Sequence, residues 1–380
     1  MSASHVQPRA LAAPTSGWLL SPSFDLTLVV GSALLALHVG IIAVFAKHPS
    51  VVPIIFLFDM WLLGYHHVVS TFTRLCFDKK SFQEHRFLVI QLPLIVIGAT
   101  AGAILSVGAV RLWMDGVAVV SATQLFSAGQ WILPTTYLYW QWFHYTRQSY
   151  GIERMYRRNA GEGALINDYF TTRSLYLVAG VGILYRAWQG QSTFLSMEVL
   201  HLPITKSVLF GVAAVTAVYL AMWLGHSLWA FRQGRLAVPH FLYVCTHHII
   251  FFVSYCLIDN ITSGWLVLNV WHNLQYIMFV WWANNRQFKN EVDPERKLIS
   301  TLSQKQHVVA YFGICIAIST VIFFGLKGMG SLGGVQGAVR WSLMVSMVMN
   351  FHHYVVDGII WKRKKQKPAV TPVEVAPMAS

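Results

Sequence analysis

Charge is what this chain has least of. Asp, Glu, Lys and Arg together make up 11% of its 380 residues, where soluble domains carry about 25%. Hydrophobic residues reach 55% and gather in repeated stretches of about 20, the length a membrane-spanning helix needs. A soluble globular fold is thereby excluded. Cysteine is nearly absent as well: Cys76, Cys245, Cys256 and Cys315 show no CxxC spacing. That argues against a disulfide framework and a thiolate zinc site and leaves four inert, buried thiols. Residues 1–23 lack a charged segment followed by a short apolar core, so no cleaved signal peptide is expected. There is no clear internal repeat, and Pro93 and Pro134 are the only prolines well inside the apolar stretches. Transporters often combine repeats with broken helices, so this pattern counts mildly against one.

What charge there is has one sign. The 28 Lys and Arg outnumber the 15 Asp and Glu, for a formal charge of +13. The basic residues cluster in alternate loops, which is a topology signal and gives no reason to expect nucleic acid. Ten spans are expected, at roughly 25–46, 53–75, 87–110, 118–145, 169–187, 207–231, 239–259, 262–284, 307–327 and 336–361. Basic clusters follow the second, fourth, sixth, eighth and tenth, as in Arg74 to Arg86, Arg147 to Arg158, and Lys362 to Lys367. The expected fold is therefore all-α and polytopic, with both termini cytoplasmic, in the inner or plasma membrane. Residues 1–23 read as a disordered cytoplasmic segment, 24–361 as a single transmembrane domain, and 362–380 as a basic, disordered tail held near an anionic leaflet. The third span, nearly free of polar residues, is expected to face lipid.

Against this apolar background stand three histidine doublets, His66-His67, His247-His248 and His352-His353. An ionisable side chain inside a span marks a functional site by default, and neutral imidazole is the commonest metal ligand. With the orientation above, most intramembrane histidines fall in one slab, the cytoplasmic half of the bilayer. His144, His226 and His272 on other spans join the candidate ligands, as do Asp59 and Asp357. Asp357 lies four residues after His353 and so shares its helix face; Asp59, seven before His66, is expected on the face of His66. Neighbouring residues diverge by about 100° on a helix, so one member of each doublet is free to point away from a shared centre. Gln141, His144 and Gln148 make an i, i+3, i+7 stripe, and His272 and Gln275 an i, i+3 pair. His38 reads instead as a helix–helix hydrogen bonder. His5, His48, His85, His201, His240 and His307 fall in loops or at interfaces. Most of the 15 Trp read as interfacial belt residues; Trp140, Trp142, Trp271, Trp281 and Trp282 flank the histidines and suit an apolar cavity wall.

A ligand set of imidazoles with one or two carboxylates and no thiolate suits Fe first, with Zn, Cu and Mn also compatible. One or two ions fit the number of imidazoles. Such a site among apolar helices suits O2 activation on a lipid-soluble substrate shielded from water, with an electron donor as a further partner. Asp357 and Tyr354 are the candidates for catalytic work. The motifs Tyr65-His66-His67, Trp271-His272-Asn273 and His352-His353-Tyr354-x-x-Asp357 give the chain a general resemblance to histidine-rich integral-membrane non-haem iron enzymes. These include fatty-acid desaturases and hydroxylases, and bacterial membrane carotenoid-cleaving dioxygenases. The HxxxH and HxxHH boxes of the desaturases are absent. The resemblance implies a membrane oxidoreductase and transfers no ligand residue by residue. Two other classes compete: a metal-ion or proton transporter, and a haem- or copper-binding redox protein.

The alternation of basic loops generates the first prediction. A reporter fused after Lys365 should read as cytoplasmic, and one inserted at 110–116 as external. The reverse pattern would overturn the assignment of depth to every histidine.

Overall fold

A backbone that crosses hydrocarbon must satisfy its own polar groups, and for a chain this apolar the helix does so locally. The structure, a computed structural model, describes residues 17–288 and 291–361 apart from Lys47, Pro49 and 331–333. It is almost entirely helical. In chain order the helices are α1 Pro22–Phe45, α2 Val51–Cys76, the short α3 Lys79–Glu84, α4 Phe87–Met114, α5 Ala122–Gly129, α6 Ile132–Ala160, α7 Asp168–Gln189, α8 Lys206–Arg232, α9 Val238–Leu257, α10 Ile261–Phe288, the short α11 Lys297–Leu302, α12 Val308–Gly330 and α13 Gly334–Ile360. One small hairpin, Thr193–Phe194 against Met197–Glu198, comes after α7.

Seven of these helices are long and apolar enough to cross a membrane: α1, α2, α4, α8, α9, α12 and α13. The other three long helices, α6, α7 and α10, coincide with three of the ten expected spans but are more polar. Their position explains it. Helix α10 is buried on almost every side, including Asn269, His272, Asn273, Gln275 and Tyr276. Its polar side chains meet other helices, so it needs no apolar coat. Helix α4 is the opposite case, with most of its side chains exposed, among them Leu94, Ile95, Ile97 and Val110.

Two boundaries differ from the sequence reading. The expected span 118–145 is two helices, and α6 continues to Ala160. Arg147, Arg154, Arg157 and Arg158 therefore lie on a helix rather than in a loop. On this extension Glu153 is fully buried, and its Oε1 accepts from Arg157 one turn on and from His240 Nε2 on α9 at 2.7 Å. An unpaired carboxylate there would be costly. His240 is thus a buried partner and not an interface residue. At the N-terminus, Asp25 accepts the backbone N–H groups of Leu19, Leu20 and Ser21 at 2.8–3.2 Å, and Asn159 donates to the Trp18 carbonyl. Residues 17–23 of the segment expected to be disordered are therefore folded onto α6. Residues 1–16 and the tail 362–380 lie outside the described residues.

A π turn at Met60–Gly64 interrupts α2 between Asp59 and Tyr65. The wider turn takes up an extra residue and rotates the C-terminal half of α2 by roughly 100° relative to a regular helix. Asp59 and His66 consequently do not share a face.

Helices α4 and α5 touch backbone to backbone. A Cβ on Gly108 would stand 1.9 Å from the Leu125 carbonyl oxygen, and one on Gly129 would stand 1.8 Å from that of Ile104. Gly129→Leu should force the pair apart and cost about 1–3 kcal/mol, the usual penalty of overpacking, seen as a lower thermal midpoint in detergent. An unchanged midpoint would contradict the close approach.

Candidate metal centre

Four helices deliver the site in a repeated step. On α2, α6, α10 and α13 a histidine is succeeded one turn later by a polar residue: His67 and Thr71, His144 and Gln148, His272 and Tyr276, His353 and Asp357. Positions i and i+4 face the same way, so four histidines form one layer and their four partners a second.

The histidine layer is tight. Ring centroids are 4.4 Å apart for His67 and His353, 4.8 Å for His67 and His272, 5.0 Å for His144 and His353, and 5.1 Å for His144 and His272. Nitrogens of His67, His144 and His272 come within 4.8 Å of one another, and so do ligand atoms of His144, His353 and Asp357. His144 belongs to both groups. All five side chains are buried.

The partner layer settles protons. Tyr276 donates to Asp357 Oδ1 at 2.6 Å, Thr71 Oγ1 is 2.8 Å from the Tyr276 hydroxyl, and His353 Nδ1 is 3.0 Å from Thr71 Oγ1. One direction satisfies all three groups: His353 Nδ1–H donates to Thr71, Thr71 to Tyr276, and Tyr276 to the carboxylate. Aligned donors polarise one another. This assignment leaves His353 Nε2 with a bare lone pair, 2.6 Å from His67 Nε2 and 3.4 Å from Asp357 Oδ2. Fixing an imidazole tautomer through its second nitrogen is how ligating histidines are usually oriented.

The remaining nitrogens are the informative ones. Among the described residues, His67 Nδ1, His144 Nε2 and His272 Nδ1 are buried with no hydrogen-bond partner. Such orphans are rare in folded proteins and call for an unseen partner or ion. Three at one place, on three converging imidazoles, fit a cation. Aromatic faces hold the rings: Tyr276 stacks on His67 at 4.1 Å, Tyr354 on His144 at 4.0 Å, and Tyr145 lies 3.9 Å from His272.

The structure brings together His67, His144, His272, His353, Asp357 and Tyr354 of the expected residues. Others go elsewhere. His66 faces Phe312 on α12. His352 Nε2–H donates to the Leu88 carbonyl on α4 at 2.7 Å. His247 donates to the Leu175 carbonyl, and His248 meets Ser174 Oγ, both on α7; neither joins a convergent ligand group among the described residues. His226 is half-buried beside Trp229 on α8. His38 bonds the Leu34 carbonyl within its own helix. Asp59, turned aside by the π turn, accepts from Asn269 Nδ2 at 2.6 Å. It ends a buried chain in which Trp265 donates to Gln141, Gln141 to Tyr145, and Tyr145 to Asn269. Asp59 thus reaches His272 only through the tyrosine packed on that ring.

Sequence reading missed Thr71, Tyr276, Tyr145 and Asn269. The signal for the first two was present, since each stands four residues after a candidate histidine. Protein-family models, curated proteins and solved structures compared with the chain give no match.

Tyr276→Phe and Thr71→Val each break the line that fixes His353. Either should weaken any transition metal held here about 10–100-fold, the usual loss when such a supporting group is removed, as measured by competition with a chelator. Affinity equal to that of the unaltered protein in both variants would show that the line has no part in metal binding.

Proposed function

We propose that this protein is a metal-dependent membrane oxidoreductase acting on a lipid-soluble substrate. The observation that carries the reading is the convergence of four imidazoles and a carboxylate, three of the nitrogens orphaned, beside a cavity that His144 and Asp357 line. That cavity, of about 330 Å³, is lined by His144, Tyr276, Tyr354 and Asp357 at its buried end and by Trp140 and Phe279 along its wall. Its volume is at the low end for small-molecule sites.

His67, His144 and His272 would hold one ion, and His144, His353 and Asp357 the same ion or a second. Imidazole with carboxylate favours Fe, with Zn and Cu as the other compatible metals. Bound there, the metal supplies O2 activation. The chain's own contribution is distinct. Asp357 brings negative charge that offsets the cation. Thr71 and Tyr276 keep the His353 lone pair turned inward. Tyr354, stacked on His144 at the cavity, places a phenolic O–H where a proton can be given or taken. The aromatic wall excludes water from reactive species. This reading carries with it the ten-span topology, cytoplasmic termini and an electron donor on the cytoplasmic side. It also agrees with the resemblance to non-haem iron membrane enzymes.

Metal analysis of the purified protein tests it. His67→Ala, His144→Ala, His272→Ala and His353→Ala should lose most of the metal, and Asp357→Asn should lower affinity about 10–100-fold. His226→Ala, His247→Ala and His248→Ala should keep it. Oxygen consumption with a lipid extract should track metal content across the series. Metal content that does not distinguish the two sets would sink the site. A Soret band would redirect the reading to haem, and metal flux in proteoliposomes without oxygen consumption would redirect it to transport.

A further inference from the structure

The same cavity has a second, differently built end. Arg154 and Arg158 on α6 line it, and Arg147 lines the cavity within one turn of His144. Their spacing of i, i+7 and i+11 places them on one stripe of the helix. Arg158 is exposed while His144, Tyr276, Tyr354 and Asp357 are buried, so the cavity runs from a basic mouth to His144 and Asp357. Its one carboxylate is Asp357, at the deep end. Arg147, within a turn of His144, meets neutral groups: it donates to the Tyr176 hydroxyl at 3.0 Å and lies over the Tyr150 ring. Arg154 pairs with the largely exposed Asp168 at the rim. Arg157, on the same helix, does not line the cavity and is held by Glu153 and Asp168.

Membrane topology explains why arginines gather at this end of α6. It does not explain why Arg154 and Arg158 border the cavity whose lining includes His144 and Asp357, with Phe279 and Trp361 alongside. A basic mouth, an aromatic throat and a ligand-lined floor match an amphiphile laid lengthwise. Arg154 and Arg158 stand ten and fourteen residues beyond His144, about 15 and 21 Å along the helix, a span that an extended apolar chain can cover.

We propose that the substrate is a single-chain amphiphile with an anionic head, carboxylate or phosphate, bound with its head at the α6 arginines and its chain directed to the histidine floor. The placement of the chain's reacting carbon rests on the oxidoreductase reading above; the binding itself does not. Guanidinium groups present paired N–H donors suited to either head.

The test uses the full chain in neutral detergent and measures quenching of tryptophan fluorescence by chain-brominated probes: a fatty acid, the alkyl phosphate and the alcohol of equal length. The acid or the phosphate should bind at least about tenfold more tightly than the alcohol, equivalent to about 1.4 kcal/mol; whichever binds more tightly identifies the head. The double variant Arg154→Gln with Arg158→Gln should reduce both to the affinity of the alcohol, while Arg286→Gln, outside the cavity, should leave them unchanged. Trp140→Phe with Trp361→Phe should remove the quenched component. Equal binding of all three probes, a head preference that survives the arginine variants, or quenching that survives the tryptophan variants would overturn the proposal. Metal measured on the same samples separates the two readings. Anion preference without metal defeats the oxidoreductase reading alone, and metal without anion preference defeats the amphiphile alone.

Discussion

The interior of this helical bundle is organised by a cost: five polar, titratable side chains are buried together. Buried polar groups must be partnered or they penalise the fold. Here the partners are largely one another. Asp357 is held by Tyr276, Tyr276 by Thr71, Thr71 by His353, and His353 by His67. Every one of those bonds crosses from one helix to another, so satisfying the polar groups also fixes how α2, α10 and α13 pack. His144 on α6 enters the same cluster through its contacts with His272 and His353. The bonds that remain unmade, at His67 Nδ1, His144 Nε2 and His272 Nδ1, are the ones the fold leaves to something else.

That constraint also orders the helices by polarity. Helix α10 could not sit at the lipid boundary with Asn269, His272, Asn273 and Tyr276 on it, and it lies at the centre, buried on nearly all sides. Helix α4 could not sit at the centre without leaving the polar groups of its neighbours unmet, and it lies outside. The three long helices that fall short of the apolar character of a spanning segment are α6, α7 and α10. Two of these carry site residues. The lower hydropathy of α10 follows from the polar groups it holds in the interior, whereas α6 and α7 also carry arginines such as Arg158 and Arg173 on exposed faces.

How much of this was legible in the sequence can be traced residue by residue. Helical class, the apolar and exposed character of residues 87–110 and the pairing of His353 with Asp357 are local properties, set by composition and by the 3.6-residue period. Two of the doublets lie on helices that meet in the buried histidine cluster, α2 and α13, but they do not show which member turns inward, because a 100° step decides that and only the neighbouring helices say which direction is inward. His247 and His248 looked identical to the other doublets by sequence. They face α7, where a backbone carbonyl and Ser174 satisfy them. Asp59 was misplaced for a different reason: the π turn at Met60–Gly64 shifts the helix phase, and no residue in Met-Trp-Leu-Leu-Gly announces such a turn. Thr71 and Tyr276 were overlooked because neither is a metal ligand by type. Their role depends on standing one turn from a histidine, not on their own chemistry.

The one-turn offset gives the site a direction. In each of four helices the histidine comes first and its partner four residues later, and the partners of three helices contact one another: Thr71 with Tyr276, Tyr276 with Asp357. Four helices can stack their second residues in one layer only if they run the same way. The partner layer therefore lies on a single side of the histidines. Gln148, Tyr276 and Asp357 line the cavity on that side, and continuing along α6 from Gln148 leads to Arg154 and Arg158. The ligands, the groups that set their protons and the basic mouth thus succeed one another along a common axis. From the arginine side the cavity presents Arg154 and Arg158 first, then Phe279 and Trp361, then Tyr276 and Asp357, with His144 deepest. The opposite side of the histidine layer is closed by the Gln141, Tyr145, Asn269 and Asp59 chain, which binds the helices together there and leaves the cavity as the approach to the floor.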